Sequence, residues 1–349
     1  MRARVCAYLR DDAAPSGPVQ ASVLAAAREE GVFLLLADRL WREVFADELR
    51  DAAAIDALRT RELRVVLAAL ADARVDAVVL KGAALAHTHY PRPELRPRAD
   101  TDLLIPENAR DPVASALSRL GYRRPPEIDG DVAVGQFHFV KTDGYGLEHA
   151  LDVHWRLSNV RAFAEMLTYD ELARAAIVIP ALSAHARVPT PVHALLVACI
   201  HRVAHHADTT HLLWLFDVHL LARSLTEGDR QVFVALASEK KVRAVCARTL
   251  TLAQEAFGGL DDTWLELLKP PRTSEEPTAT FVGGGLRPVD ILKSDLGATA
   301  RGSRLRLLRE HLFPPTSYMR ERFPGWPTLL LPLAYARRIV VGAPRWVRR

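Results

Sequence analysis

The sequence predicts an α+β protein in which a small mixed β-sheet core is flanked by N-terminal and C-terminal helical segments. Ala- and Leu-rich stretches with apolar residues at three- and four-residue spacings lie on both sides of the core and indicate amphipathic helices. Between them, short β-branched runs end at turn residues, as strands do. The 349 residues, 49% hydrophobic and 25% charged, suffice for two or three domains with an ample core.

Changes in this pattern along the chain predict five segments. They are an N-terminal helical segment (1–74), an αβ core (75–188), a helical domain (189–269), a linker or loop rich in Pro, Gly, Ser and Thr (270–300) and a basic helical tail (301–349).

The αβ core begins at Val75, where the helical periodicity stops. The run "VDAVVLKG" predicts a buried strand that leads into a turn at Lys81-Gly82. "AALAHTHY" can form a helix, stopped by the prolines that follow it. "RADTDLLI" then predicts a second strand, which Pro106 closes. The first half of the core is therefore expected to run strand, helix, strand.

The second half of the core is expected to contain a helix and a hairpin. "ENARDPVASALSRLGY" is amphipathic, and Gly121 is expected to cap its C-terminal end. "GQFHFVKTDGYGLEHALDVHWRL" has two alternating runs around Asp143-Gly144, which predicts a β-hairpin.

Two carboxylates stand one residue apart at the start of the apolar run of the second strand. Side chains alternate across a strand, so Asp100 and Asp102 share one face, with Cα atoms about 6.5–7 Å apart. Each would raise the other's pKa unless a cation lies between them. Mg²⁺ or Mn²⁺ removes this cost, because hard divalent ions take oxygen ligands and leave positions for phosphates. The alternative is a turn residue followed by an edge charge.

A third acid is expected on the second strand of the hairpin. In "LEHALDVHWRL", Glu148, Ala150, Asp152 and His154 share one face, and the opposite face is mostly apolar. If this strand lies beside that of Asp100 and Asp102, Asp152 completes a three-carboxylate cluster. Such a cluster can hold two metal ions, one activating an attacking hydroxyl and the other orienting a triphosphate.

These segments, in this order, resemble the nucleotidyltransferase fold of the polymerase-β-like superfamily. More narrowly, "LKG", "RPRADTDLLI" and "LDVHWRL" are similar to the segments of an uncharacterised family of bacterial nucleotidyltransferases. The resemblance covers roughly residues 20–225 and is most specific between Leu80 and Leu157. It implies a nucleotidyltransferase core, with Asp100 and Asp102 as the metal pair and Asp152 as the third acid.

The same resemblance implies a nucleotide-binding set around the acids. Gly82 would lie in the turn where backbone N–H groups approach the phosphates. The superfamily has Gly followed by Gly or Ser there, whereas Ala83 follows Gly82 in this chain. Lys81 could compensate by offsetting charge as pyrophosphate leaves. Arg96 and Arg98 could clamp phosphate oxygens, and Arg96 occupies the position of the family's "RP" pair.

A histidine-rich stretch, "HRVAHHADTTHLLWLFDVH", follows the core. His201 and His205 are four residues apart and share a helix face. Three interpretations stay open: histidines that pack between helices, a cover over the catalytic cleft in which His201, His205 and Asp217 contact nucleotide or acceptor, or a separate metal site. HExxH does not occur in the chain, and no Asp directly follows His205-His206.

The net charge of +4 is distributed unevenly. From Arg301 onward there are eleven Arg and two Glu, which gives +9, so the first 300 residues carry about −5. A basic tail can attract an anionic partner such as nucleic acid, a membrane surface or a phosphorylated substrate; the alternative is a solvated, Arg-rich helical surface.

Other sequence features predict a cytoplasmic protein without a transmembrane segment. The start lacks the apolar region of a secretory signal, and no run of about 18 apolar residues occurs. Three widely spaced cysteines fit neither a disulfide framework nor a zinc ribbon.

The expected activity is transfer of a nucleotidyl group from an NTP such as ATP to an acceptor hydroxyl or phosphate, with release of pyrophosphate. Two ions of Mg²⁺ or Mn²⁺ are expected as cofactors. The acceptor is left open among small molecule, peptide, protein and RNA. The alternatives are a non-catalytic nucleotide-binding module and a metal-dependent phosphohydrolase centred on His201, His205 and Asp217.

Overall fold

The computed structural model describes residues 1–10, 20–270 and 276–347. The helices are α1 Arg2–Leu9, α2 Ala21–Glu29, α3 Phe33–Leu40, α4 Ala46–Asp72, α5 Lys81–Thr88, α6 Arg110–Arg119, α7 Arg161–Ala164, α8 Tyr169–Ala175, α9 Pro191–Ala204, α10 Leu212–Ser224, α11 Glu227–Glu239, α12 Arg243–Phe257, α13 Asp262–Leu268, α14 Pro288–Ala298, α15 Arg304–Leu312, α16 Thr316–Arg322 and α17 Leu331–Val347. The strands are β1 Val78–Leu80, β2 Asp100–Leu104, β3 Gln136–Thr142, β4 Glu148–His154, β5 Ile177–Val178 and β6 Arg187–Val188.

The six strands form one mixed sheet in the order β3-β4-β2-β1-β6-β5. Strand β2 is antiparallel to β1 and parallel to β4, while β3 and β4 form the antiparallel hairpin. The helices lie before, within and after this sheet. The predicted α+β class, with a small mixed sheet between helical segments, is confirmed.

Each face of the sheet packs against a different group of helices. Val79 and Leu103 point into a core shared with α4 and α6. Val78, Leu80 and Leu104 point to the other side, into the larger core built with α2, α3 and α9–α12. Because Asp102 is two residues from Leu104, its side chain belongs to the second face. The acidic residues of β2 therefore face the helical domain.

The hairpin and the helix before it form as the turn residues predict. The Asp143 carboxylate accepts hydrogen bonds from the backbone N–H groups of Tyr145 at 2.9 Å and Leu147 at 3.0 Å, which fixes the turn. Gly121 follows the last turn of α6 with a φ of +87°, a conformation that costs glycine least.

The stretch predicted as a linker or loop, 270–300, is more ordered than expected. Its described part contains a 3₁₀ turn, Pro277–Phe281, and the eleven-residue helix α14. Pro288 occupies the first turn of α14, where proline fits, and Asp290 pairs with Arg287 at 2.8 Å. The loop was predicted from the Pro and Gly content of this stretch, but these residues do not prevent a helix from forming over Pro288–Ala298. Residues 271–275 of this stretch lie outside the described residues, and the five domain boundaries remain predictions.

Two general expectations can be compared with the described part of the chain. No helix there is long and apolar enough to cross a membrane. Cys6, Cys199 and Cys246 are buried free thiols.

Candidate active site

The pairing of β2 with β4 brings together carboxylates that are fifty residues apart in sequence. The two strands are parallel, and Asp102 lies directly opposite Asp152. His154, two residues further along β4, points to the same face. One side-chain ligand atom from each of Asp102, Asp152 and His154 lies within 4.8 Å of the others.

Asp102 is the centre of this cluster and is 6% exposed. Its Oδ1 accepts hydrogen bonds from Lys81 Nζ at 2.7 Å and from His154 Nε2 at 2.8 Å. Burial alone would raise the pKa of Asp102, but the Lys81 ammonium and the His154 hydrogen bond outweigh it. The pKa is therefore held well below its usual range, and Asp102 is a carboxylate at neutral pH.

Asp100 lies at the start of β2, next to the cluster but outside the three atoms within 4.8 Å. Partial desolvation raises the pKa of its carboxyl, and the negative charges of Asp102 and Asp152 raise it further. This is the repulsion that the sequence predicted for neighbouring carboxylates. A cation between the acids would remove it.

Lys81 and Gly82 are the first two residues of α5, where the chain turns from β1 into the helix. Lys81 has a φ of +52°, which is uncommon for a residue with a side chain, and its ammonium is anchored on Asp102. Gly82 is required for a different reason: a Cβ at this position would lie 3.0 Å from Arg96 Nη1. The glycine lets the Arg96 guanidinium pack directly against the backbone of the turn.

Arg96 connects this turn to helix α10 through a buried ion pair. Its Nη2 and Nε donate to the two oxygens of Asp217, at 2.7 and 3.0 Å, and its Nη1 donates to the Pro97 carbonyl at 2.6 Å. Tyr90 donates to the same carboxylate at 2.7 Å. Arg96 and Asp217 thus hold the Lys81-Gly82 turn and α10 in one fixed arrangement.

Arg98, the second predicted phosphate ligand, is also paired. Its Nη1 lies 2.6 Å from Asp56 Oδ1 on α4, and its side chain is 4% exposed. Its carbonyl accepts a hydrogen bond from Arg59. The predicted contacts of Arg96 and Arg98 with phosphate remain predictions, whereas the contacts present bind the loop before β2 to two helices.

Histidines at the C-terminal end of α9 and just after it lie near the cluster as neutral side chains. Burial and the Lys81 charge lower the pKa of His201 well below its usual value and that of His205 to about 3. His205 Nε2 lies 3.0 Å from the Ser158 hydroxyl, and His206 stacks on Trp214 with ring centroids 3.7 Å apart. Three residues were predicted to contact nucleotide or acceptor. Two of them, His201 and His205, lie beside Lys81, whereas the third, Asp217, is bound by Arg96 and Tyr90.

The geometry agrees with the comparison with known proteins. A family model described as an uncharacterised nucleotidyltransferase matches residues 18–258. This match covers more than half of the chain and contains the whole candidate site. The protein is a member of this nucleotidyltransferase family. No curated protein matches the chain.

In this family member, a cleft adjoins the acidic cluster on the far side of Lys81. Its polar lining includes Lys81, Arg96, His201, Trp214 and Asp217. The rest is mostly apolar and comes from α5, α9 and the short strands β5 and β6, with side chains such as Leu85, Val188, Pro189, Ala194 and Val197. An apolar cleft with a few convergent polar groups is the usual form of a small-molecule site.

Sequence reasoning did not assign two residues that lie in the candidate site. His154 contacts Asp102, and His138 Nδ1 on β3 lies 2.7 Å from Asp152 Oδ1. The signal for His154 was its i+2 spacing from Asp152, the spacing that singled out Asp100 and Asp102. His138 had no local signal, because its position opposite Asp152 depends on the hairpin register.

The donor set fits a divalent cation. Two carboxylates and one imidazole converge, and burial together with the charges of Asp102 and Asp152 raises the pKa of the adjacent Asp100, an effect that a bound cation would oppose. Carboxylates are the ligands that Mg²⁺ and Mn²⁺ prefer, whereas imidazole suits metals such as zinc, iron and nickel. The set is thus compatible with a divalent cation.

A prediction of pH dependence arises from His219, which packs between helices beside Phe216 and Phe257. Burial and then Arg223 lower its pKa to about 4, against about 6.5 unfolded. Between these values the unfolded chain binds more protons at this position, so as the pH falls below about 6.5 His219 alone lowers the free energy of unfolding by up to about 1.4 kcal/mol per pH unit, in addition to the other buried histidines. Urea unfolding from about pH 7 to about pH 5 measures this slope.

His219→Leu should flatten that slope relative to the wild type. The exposed His185→Leu is the matched control. Equal slopes for His219→Leu and the wild type would contradict the prediction.

Proposed function

We propose that this protein transfers a nucleotidyl group from an NTP to the hydroxyl or phosphate of an acceptor and releases pyrophosphate, with Mg²⁺ or Mn²⁺ as cofactor. The observation that carries the proposal is the register that places Asp102 opposite Asp152, with Asp100 and His154 on the same face. A purely structural sheet gains nothing from this arrangement, because like charges on adjacent strands repel.

Asp100, Asp102, Asp152 and His154 would hold the metal, with Asp100 and Asp102 as the predicted metal pair. Metal bound there would neutralise the triphosphate and lower the pKa of the acceptor hydroxyl. Asp152, kept in orientation by His138, would complete one ion's coordination and help to accept the acceptor's proton.

Lys81 and the start of α5 would bind the phosphates. The Lys81 ammonium, which donates to Asp102 in this structure, would offset negative charge on the departing pyrophosphate. The first backbone N–H groups of α5, near Gly82, have no partner within the helix, which favours an anion. Packing of Arg96 against Gly82 would keep these groups in place before substrate arrives.

The cleft on the far side of Lys81 would take the base of the nucleotide or part of the acceptor. Its apolar walls suit a flat ring, and Trp214 and His201 supply aromatic surface. Burial holds the pKa of His201 well below its usual value, so this side chain presents a neutral ring to the cleft at neutral pH.

The phosphohydrolase alternative has less support than the transferase. It requires His201, His205 and Asp217 to meet at one metal, yet Asp217 is bound to Arg96 and Tyr90, and His205 contacts Ser158. Within the described residues, the group of potential metal ligands is Asp102, Asp152 and His154.

The test is to incubate the protein with each α-labelled ribonucleoside triphosphate, Mg²⁺ or Mn²⁺, and a cell extract, and to measure label transfer and pyrophosphate release. We expect label on a new species with at least one NTP, loss of transfer with EDTA, and loss with Asp152→Asn. Asp47→Asn, an exposed acid on α4, is the matched control.

Each contrary outcome points to one alternative. NTP binding without label transfer or pyrophosphate release would indicate a non-catalytic binding module. Phosphoester hydrolysis that needs no NTP, is lost in His205→Ala and is retained in Asp100→Asn would indicate the phosphohydrolase.

A further inference from the structure

The C-terminal segment presents an exposed apolar surface next to many arginines. Six large apolar side chains between positions 329 and 341 are exposed to solvent. They are Leu329 at 92%, Leu330 at 41%, Leu333 at 59%, Ile339 at 36%, Val340 at 70% and Val341 at 52%. Among the described side chains, most other exposed large apolar residues are scattered singly, which is normal for a soluble surface.

Four of these side chains lie on helix α17, whereas Leu329 and Leu330 lie in the 3₁₀ turn that precedes it. Leu333 and Val340 are seven residues apart and so lie above each other, with Ala336 between them. The opposite face is packed: Leu331 is 8% exposed and Ala334 is fully buried, in a small core with Met319 of α16. The packing of α17 against α16 uses Leu331 and Ala334, so the exposed apolar side chains Leu333 and Val340 take no part in it.

The segment is held rigidly against the αβ core. Glu310 on α15 accepts hydrogen bonds from the backbone N–H groups of Asp131, Val132 and Ala133 at 3.2, 3.0 and 2.8 Å. Arg338 of α17 donates to the His311 carbonyl at 2.8 Å. The apolar face thus has a fixed orientation relative to the rest of the molecule.

Positive charge is concentrated in this C-terminal segment. The chain from Arg301 onward carries a formal +9. Arg337, four residues from Leu333, lies on the same side of α17 and is exposed, and Arg309, Arg320 and Arg322 are exposed on α15 and α16. Apolar residues flanked by arginine on one helix face are typical of helices that lie in the plane of an anionic membrane surface.

We propose that the outer face of α17 docks on an anionic lipid surface, with Leu333 and Val340 among the acyl chains and Arg337 at the headgroups. Charge complementarity selects this partner: a nucleic acid would use the arginines but has no use for the apolar stripe. The proposal is independent of the proposed nucleotidyl transfer.

The test is co-sedimentation of the full chain with vesicles of phosphatidylcholine alone or of equimolar phosphatidylcholine and phosphatidylglycerol. We expect binding to the anionic vesicles and little to the neutral ones. Raising the salt from about 0.1 M to about 1 M shortens the screening length from about 10 to about 3 Å and should weaken it. Replacing Arg337 by Gln should lower the partition coefficient about five-fold.

The apolar part is tested by Leu333→Gln and Val340→Gln, which keep helix propensity and should each lower the partition coefficient about ten-fold. Val232→Gln, an equally exposed position on α11, and Arg119→Gln, an exposed arginine on α6, are the matched controls and should bind as the wild type does.

Four outcomes would overturn the proposal. The first two are an absence of vesicle binding and equal binding to neutral and anionic vesicles. The third is salt-sensitive binding of single-stranded RNA that Leu333→Gln leaves unchanged, which would identify a nucleic-acid surface. The fourth is a dimer in sedimentation velocity that Leu333→Gln dissociates and that does not bind vesicles, which would identify an interface between copies of this chain.

Discussion

Asp102→Asn is expected to lower the rate of nucleotidyl transfer about a thousand-fold or more. Asp102 lies between Lys81, His154 and the opposed Asp152, so a neutral amide removes the central charge from the proposed metal site. Removing one preorganised charged or polar group from a site of this kind costs about 10²–10³ in rate, and loss of the metal adds to it. Asn has nearly the same volume as Asp, which preserves the packing of this buried position.

The measurement is pyrophosphate release at saturating NTP, together with urea unfolding to verify that the variant is folded. Binding of a fluorescent NTP is measured in parallel. If the protein is a transferase, the folded variant should lose turnover and retain part of its nucleotide binding; if it is a non-catalytic binding module, the wild type should bind the NTP without any turnover. Turnover of Asp102→Asn within ten-fold of the wild type would contradict the assigned site. Asp47→Asn, on an exposed part of α4, should be fully active.

Arg96→Met is expected to lower the free energy of unfolding by about 3–5 kcal/mol, a large fraction of the stability of a typical domain. The substitution leaves the Asp217 carboxylate buried with Tyr90 as its remaining partner, and burying an uncompensated charge is costly. The guanidinium also packs on Gly82, so the Lys81-Gly82 turn should loosen at the same time.

The double variant Arg96→Met/Asp217→Leu separates the ion pair from the packing. Because no charge is then left buried, it should recover most of the lost stability, while the turn remains unsupported and transfer stays impaired. Urea unfolding of both single variants and the double variant forms the cycle. Arg50→Met, which breaks an exposed pair with Asp47 whose side chains are 72% and 83% exposed, is the control and should cost less than about 1 kcal/mol. If Arg96→Met costs no more than Arg50→Met, the supporting role is wrong.

The local parts of this fold could be predicted because their signals are local. Alternation in "RADTDLLI" assigns Asp100 and Asp102 to one strand face, and the Asp143 turn joins β3 to β4 whatever else surrounds them. The sequence pattern also predicted helical structure over 189–269, where α9 and α10 lie. Pro and Gly were less reliable as signals of a loop, because helix α14 lies within the stretch predicted as a linker.

What only the tertiary structure decided is which strands and side chains meet. Strand β2 lies parallel to β4 with Asp102 opposite Asp152, and His154 and His138 lie beside these two acids. This arrangement depends on a strand register that is set by the packing of both sheet faces. Arg96 and Arg98 look alike in sequence, yet one is held by Asp217, 121 residues away, and the other by Asp56. The sequence by itself determined the acids and their shared face, because alternation is a property of a single strand. Their partners required the fold, because long-range pairing is decided by burial and charge compensation summed over the whole core.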